Sequence, residues 1–122
     1  MARAERQRAL ASGALAESLA ATFLESNGLC VVARNVRSRF GEIDLVCRDG
    51  DTLVFVEVRL RRSRRYGGAA ESITAAKRAR LVAACESYLA TLQRTPACRI
   101  DAILVDALDA RRIEWMRDAV SV

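Results

Sequence analysis

The sequence contains no histidine, a single lysine (Lys77) and a single proline (Pro96). The missing histidine removes the side chain that most often serves as a general base. Ser-His-Asp and Cys-His mechanisms are thereby excluded, and any hydrolysis must run on carboxylates, a metal ion or both. Cys30, Cys47, Cys85 and Cys98 lie far apart with no C-x-x-C pair. Without histidine or ligand-like spacing they argue against zinc, and they read as small buried hydrophobes in a reducing compartment. No stretch is long and apolar enough to span a bilayer, so no membrane association is expected. The start, MARAERQRALASG, is charged but has no apolar segment before a cleavage site. No signal peptide is therefore expected, and a cytoplasmic location is.

What is present fits one domain spanning residues 1–122, with 52% apolar residues to build a core. The net charge is +5, from 20 basic and 15 acidic residues, and all the basic residues but Lys77 are arginine. A genome rich in G and C would give that bias by itself, yet the guanidinium fork also suits phosphate. The charge is clustered: Arg59-Leu60-Arg61-Arg62-Ser63-Arg64-Arg65 holds five arginines in seven residues. The tract reads either as a solvated basic loop or as an electrostatic footprint for nucleic acid.

Periodicity lays out the elements. A helix is expected from about Ala4 to Ser26, with Leu15, Leu19 and Phe23 recurring every four residues and Leu10, Ala20 and Leu24 widening the stripe. Asn27-Gly28 stops it, and residues 29–33 read as a first strand. Residues 41–47 alternate polar and apolar as a half-buried strand does. Residues 48–51 supply a hairpin turn around Asp49-Gly50, and residues 52–59 return as a β-branched strand. After a break at Tyr66-Gly67-Gly68, a second helix runs from Thr74 or Ala75 to Gln93, capped by Ser72 or Thr74. Its buried stripe is Leu81, Cys85, Tyr88 and Leu92. Residues 99–105 form a further strand, parallel to the 52–59 strand because a helix connects them. Residues 112–116 are a candidate last strand.

With Asp49-Gly50 at the centre of the turn, Cys47 faces Thr52, Leu45 faces Val54 and Ile43 faces Val56, forming an apolar face. The opposite face carries Glu42, Asp44, Val46, Leu53, Phe55, Glu57 and Arg59. Glu42 then lies directly across from Glu57, with Asp44 on the diagonal. Like charges so placed destabilise a sheet, and a hard divalent cation among them would relieve the repulsion. Charge on the outer face is also ordinary for a hairpin, and Arg59 can simply neutralise Glu57. A bulge would move alternate residues to the other side. Glu17 falls within the apolar stripe of the first helix, either buried for a reason or snorkelling at its edge. Asp101 poses the same question, with an arginine partner as the structural answer.

Gly41-Glu42-Ile43-Asp44-Leu45, followed by Val54-Phe55-Val56-Glu57-Val58-Arg59, resembles the core of the PD-(D/E)xK nucleases. More closely, the chain resembles the bacterial YraN family, itself similar to archaeal Holliday-junction resolvases. The resemblance covers nearly the whole chain. It takes in the helix around Ala16-Glu17, Ala33 to Arg37, the hairpin, the tract from Arg61 to Gly67, Lys77 through Leu81, and Arg99-Ile100-Asp101. It implies an α/β restriction-endonuclease-like fold with an αβββαβ core, a mixed sheet flanked by helices. It implies Mg²⁺ or Mn²⁺ and phosphodiester cleavage of DNA, branched or damaged, and resolvase-like proteins are often homodimers. By the same analogy Asp44 and Glu57 are metal ligands and Glu17 matches the acidic residue on the resolvase helix; Glu42, crowded beside them on the hairpin face, is the other candidate to assist the metal. Arg59 stands where the superfamily has lysine. Arginine can hold a phosphate but does not act as a base near neutral pH, and Lys77 is the one lysine available to replace it. Arg61, Arg62, Arg64, Arg65 and Lys77 are the expected nucleic-acid contacts. Two competing readings are a nucleic-acid-binding module of the same fold without catalysis, and an adaptor whose basic loop docks an acidic protein.

Overall fold

Strand alternation from Gly41 onward builds the centre of a five-stranded sheet, and the chain ahead of it and behind it supplies the two helices that cover its faces. A computed structural model describes residues 3–61, 74–107 and 109–120. In chain order the elements are α1 (Arg3–Ser26), β1 (Cys30–Ser38), β2 (Gly41–Asp49), β3 (Thr52–Arg61), α2 (Ala75–Leu89), β4 (Cys98–Asp106) and β5 (Ile113–Val120). The strands lie in the order β1-β2-β3-β4-β5. All neighbours are antiparallel except β3 and β4, which run parallel across the α2 connection. The expected αβββαβ order is therefore present, followed by a full fifth strand.

Two apolar clusters fix the layers. Under α1, the side chains of Ala16, Ala20, Ala21 and Leu24 meet Leu45, Cys47, Val54, Val56, Ile103 and Val105. Under α2, Leu81, Ala84 and Cys85 meet Ile43, Val46, Phe55 and Ile100. Thr74 caps α2, its Oγ1 accepting from the Lys77 amide at 3.2 Å; the alternative cap, Ser72, lies outside the described residues, as does the Tyr66-Gly67-Gly68 break. Several expected core positions are corrected. Leu15 is exposed, because the small Ala16, Ala20 and Ala21 let α1 sit close on the sheet and turn Leu15 outward. The side chain of Leu10 lies outside the described residues. Leu92 falls beyond the end of α2 and is exposed too. Cys47 and Cys85 are buried, but Cys98 is only partly buried and Cys30 is exposed. All four thiols are free.

The hairpin register also differs from the expected one. Asp49 pairs with Thr52, so the turn centres on Gly50-Asp51, with Gly50 at φ 60. This register sets Leu45 against Val56, Val46 against Phe55 and Cys47 against Val54, all fully buried. Two fully apolar faces decide the pairing more strongly than the Asp-Gly turn signal does. The pairing of β2 with β3 ends at Leu45 and Val56. Beyond it β2 stays paired with β1, through Ile43, Glu42 and Gly41. Meanwhile β3 stays paired with β4, from Glu57 to Arg61. The sheet thus forks at Asp44 and Glu57. At the fork Ile43 joins the α2 cluster while Leu45 joins that of α1, so the three apolar residues expected on one face are divided between two.

Asp101 is a structural residue. It is fully buried in β4. Arg99 Nε donates to both of its oxygens (3.0 and 3.2 Å), the Trp115 indole donates at 2.9 Å and the Asp118 amide at 2.8 Å. The Arg99 side chain continues to Asp49 at 3.1 Å. The expected arginine partnership is what the fold uses.

Candidate metal centre

The fork brings together three carboxylates from two elements of the chain. Glu17 comes from α1, Glu42 and Asp44 from β2, and their oxygens lie within 4.8 Å of one another. The corrected register moves Glu57 away from Glu42 and sets it beside Asp44. Where strand pairing stops, the Val58 amide donates instead to Asp44 Oδ2 at 2.8 Å. One oxygen of Asp44 is thereby fixed by the backbone. Glu57 is tied on its other side to Arg59 Nη2 at 3.0 Å.

Crowding changes how these groups hold protons. Burial pushes Asp44 up to about 7, and the charges of Glu57 and Glu42 add to that rise, against the opposing Val58 hydrogen bond. Burial also raises Glu57, opposed by Arg59, by its bond to Asp44 and by Lys77. Glu17 is raised by burial and by the charges of Asp44 and Glu42, while a hydrogen bond from Asn35 works the other way. A set of carboxylates that resists full ionisation is the donor set a hard cation fits: all oxygen, negatively charged and convergent. The residues present therefore fit Mg²⁺ or Mn²⁺.

Beside the carboxylates opens a cleft of about 270 Å³, lined by Phe40, Gly41, Glu42, Glu57, Arg59, Lys77, Arg80 and Leu81. Its floor is acidic and its α2 wall is basic. Lys77 does reach the site: its charge acts on Glu57 and its side chain lines the same cleft as Arg59. The buried Arg59 Nε meets no acceptor among the described residues, an arrangement that native folds seldom leave unfilled. Of the arginines in the basic tract, only Arg59 and Arg61 lie within the described residues. Arg61 is half-buried and pairs with Glu114 at 3.1 Å, so it is engaged within the sheet rather than held out to solvent. Arg62, Arg64 and Arg65 lie outside the described residues.

Three residues of the site were missed by sequence reasoning. Arg80 follows Lys77 by three positions on α2, a spacing that places both on one helix face. Phe40 sits in the turn before β2, where no periodicity marks it. Asn35 in β1 has φ 51, and asparagine's tolerance of left-handed backbone was the available signal.

The comparisons with known proteins agree on one family. The model of the uncharacterised protein family UPF0102 matches residues 16–105. The chain is 50% identical over 110 residues to a UPF0102 protein of Nitrosospira multiformis, covering 90% of this chain and 92% of the relative. It is 55% identical over 119 residues to a UPF0102 protein of Ralstonia nicotianae, covering 93% and 89%. With a UPF0102 protein of Methylobacillus flagellatus it shares 54% identity over 106 residues, covering 87% and 93%.

Proposed function

We propose, for a chain that belongs to the UPF0102 family (the YraN family its motifs resemble), a divalent-metal-dependent hydrolysis of phosphodiesters in DNA, with branched or damaged DNA as substrate. The observation that carries this reading is the convergence of Glu17, Glu42 and Asp44 at the fork, next to a cleft walled by Arg59, Lys77 and Arg80. Glu17, Glu42 and Asp44 would hold Mg²⁺ or Mn²⁺, with Glu57 at their border. The bound ion supplies an activated water and charge stabilisation at phosphorus. The chain's own groups do the rest. Asp44, held by the Val58 amide, is oriented before any substrate arrives. Arg59 is anchored by Glu57 and presents its remaining guanidinium N–H groups to phosphate in fork geometry. Lys77 and Arg80 extend the positive wall along the path of a backbone.

Arginine at position 59 suffices if that residue only stabilises charge on phosphate. Arg59→Lys is then expected to change the rate modestly, and Arg59→Ala to cost about 10²-fold, the scale for losing one electrostatic stabiliser. The assay is Mn²⁺-dependent cleavage of branched, flapped and single-stranded DNA by wild type, both Arg59 variants and Glu57→Gln. Asp44→Asn, run beside them, is expected to abolish cleavage, and cleavage that survives in it would point to a contaminating nuclease. Intact binding without cleavage by any variant would favour the non-catalytic module.

Binding itself has a separate test. Each neutralised phosphate contributes about −0.9 to the slope of log K against log salt on duplex DNA. Replacing Arg62, Arg64 and Arg65 by alanine, with Arg61 left to its pair with Glu114, is expected to weaken binding and flatten that slope. Unchanged affinity and slope would make the tract a solvated loop, and weak, salt-insensitive binding by the wild type would favour the protein adaptor.

A further inference from the structure

Asn35 has no part in the chemistry above, yet three features converge on it. Its φ of 51 lies in the left-handed region, which strains most side chains and which asparagine tolerates better than others. With its nitrogen turned toward the carboxylates, its amide donates to Glu42 Oε1 at 2.6 Å and to Glu17 Oε2 at 3.1 Å. The opposite orientation would set its oxygen against acceptors alone. One neutral side chain of β1 therefore clasps two acidic groups, one on β2 and one on α1, adding a shared donor to the Val58 amide on Asp44 and the Arg37 contact on Glu42 at 3.4 Å.

An amide has two ends of nearly equal shape and opposite character. The nitrogen end donates to carboxylates; the oxygen end is a hard ligand of the kind that magnesium and calcium sites accept. The terminal torsion of asparagine is broad and roughly two-fold, so a half-turn exchanges the ends with little movement of other atoms. An exposed strand residue has room for that turn, and Asn35 is exposed.

We propose that Asn35 is the positioning residue of the metal centre: its amide nitrogen holds Glu17 and Glu42 together while no cation is bound, and its amide oxygen turns to the cation when one binds. The inference rests on reading the three carboxylates as a metal centre. It assigns to Asn35 the work of keeping ligands from α1 and β2 in register without an ion, which strand pairing cannot do for a helical residue. The left-handed backbone is what aims the amide, so Gly and Asp are the informative replacements: both accept that φ, and neither carries the amide.

The test uses the full-length protein, with Asn35→Gly and Asn35→Asp. Mg²⁺ affinity is measured by calorimetry, metal-free stability by thermal unfolding, and the Asn35 side-chain amide by ¹⁵N–¹H spectra, its signal identified by its loss in Asn35→Asp. In the wild type that signal is expected to move in step with Mg²⁺ binding. Asn35→Gly is expected to bind Mg²⁺ roughly 10-fold more weakly, the low end of the range for residues that orient ligands. Asn35→Asp is expected to bind at least as tightly as wild type but to melt lower without metal, because a fourth carboxylate joins three. Wild-type binding with a motionless Asn35 signal and an unweakened Gly variant overturns this inference and leaves the metal reading standing. Absence of any Mg²⁺ or Mn²⁺ binding at millimolar concentration overturns both.

Discussion

Millimolar Mg²⁺ or Mn²⁺ is expected to stabilise the wild-type protein, and Asp44→Asn is expected to abolish that response and to make the metal-free protein more stable above pH 7. Both effects come from one carboxylate. An ion that binds only the folded state adds about 2.7 kcal/mol at a concentration 100-fold above its Kd, enough to raise Tm by several degrees. Asp44 lies within the carboxylate cluster and beside Glu57, and asparagine keeps an oxygen for the Val58 amide while removing the charge. The metal response should therefore vanish without loss of the local backbone geometry. The pH dependence follows from the same group. Its folded pKa is raised to about 7 from an ordinary carboxylate value of 3.8, so between these limits the folded state binds more protons than the unfolded state. Metal-free stability from this group is thus fully present at low pH and is lost as pH rises through about 7. Asp44→Asn flattens that loss. A divalent ion must displace the proton, so the wild-type metal response is expected to grow from pH 6 to pH 8. Melting curves with Mg²⁺ and with EDTA, for both proteins at pH 5.5, 7 and 8, decide the matter. A full metal shift retained by Asp44→Asn would remove Asp44 from the ligand set.

The largest expected loss of stability is at Asp101. Replacing it by alanine leaves the Trp115 indole and the Asp118 amide without an acceptor and removes a charge that Arg99 embraces with two contacts. Breaking a buried, hydrogen-bonded charge pair costs about 3–5 kcal/mol, equivalent to a drop in Tm of roughly 10–20 °C for a domain of this size. Asp101→Asn keeps the volume and one acceptor and is expected to cost clearly less. Urea unfolding measures both. A change below about 1 kcal/mol in Asp101→Ala would show that the network is dispensable, since that is the scale of one ordinary hydrogen bond. A second signature is specific to this network. Asp49 holds the other end of Arg99, so Asp49→Ala is expected to add little once Asp101 is gone.

Much of this architecture is legible in the residues themselves. Alternation from Gly41 to Arg59 gives β2 and β3, and the intervening helix makes β4 parallel to β3. The register was not legible from the turn. Asp49-Gly50 is a strong local signal, but the buried pairs Leu45/Val56, Val46/Phe55 and Cys47/Val54 outweigh it. The candidate acidic residues were readable as types, since Glu42, Asp44 and Glu57 recur in the alternation. Their grouping was not, because the fork between β2 and β3 is set by different partners on either side and by no residue at the fork. That is why Glu17, readable only as a stripe residue or one snorkelling at the stripe's edge, and by resemblance as the resolvases' helical acid, joins Glu42 and Asp44, while Glu57 also turns to Arg59. Leu15 shows the converse error: a large apolar side chain at helical spacing yields the core to three alanines, which bring α1 closer than leucine would allow.

Trp115 is the one tryptophan in the chain, and its surroundings make it an optical probe of the whole fold. Its ring meets Phe23 of α1 edge-on, with centroids 6.1 Å apart, and lies under Arg117 at 4.1 Å. Its indole N–H ends on Asp101. The first helix and the last strand thus close on a single fluorophore, across most of the length of the chain. In a stopped-flow refolding experiment, the emission change of Trp115 would report the closing of α1 against β5, a contact whose sequence separation makes its loop costly to close. No labelled variant is needed to follow it.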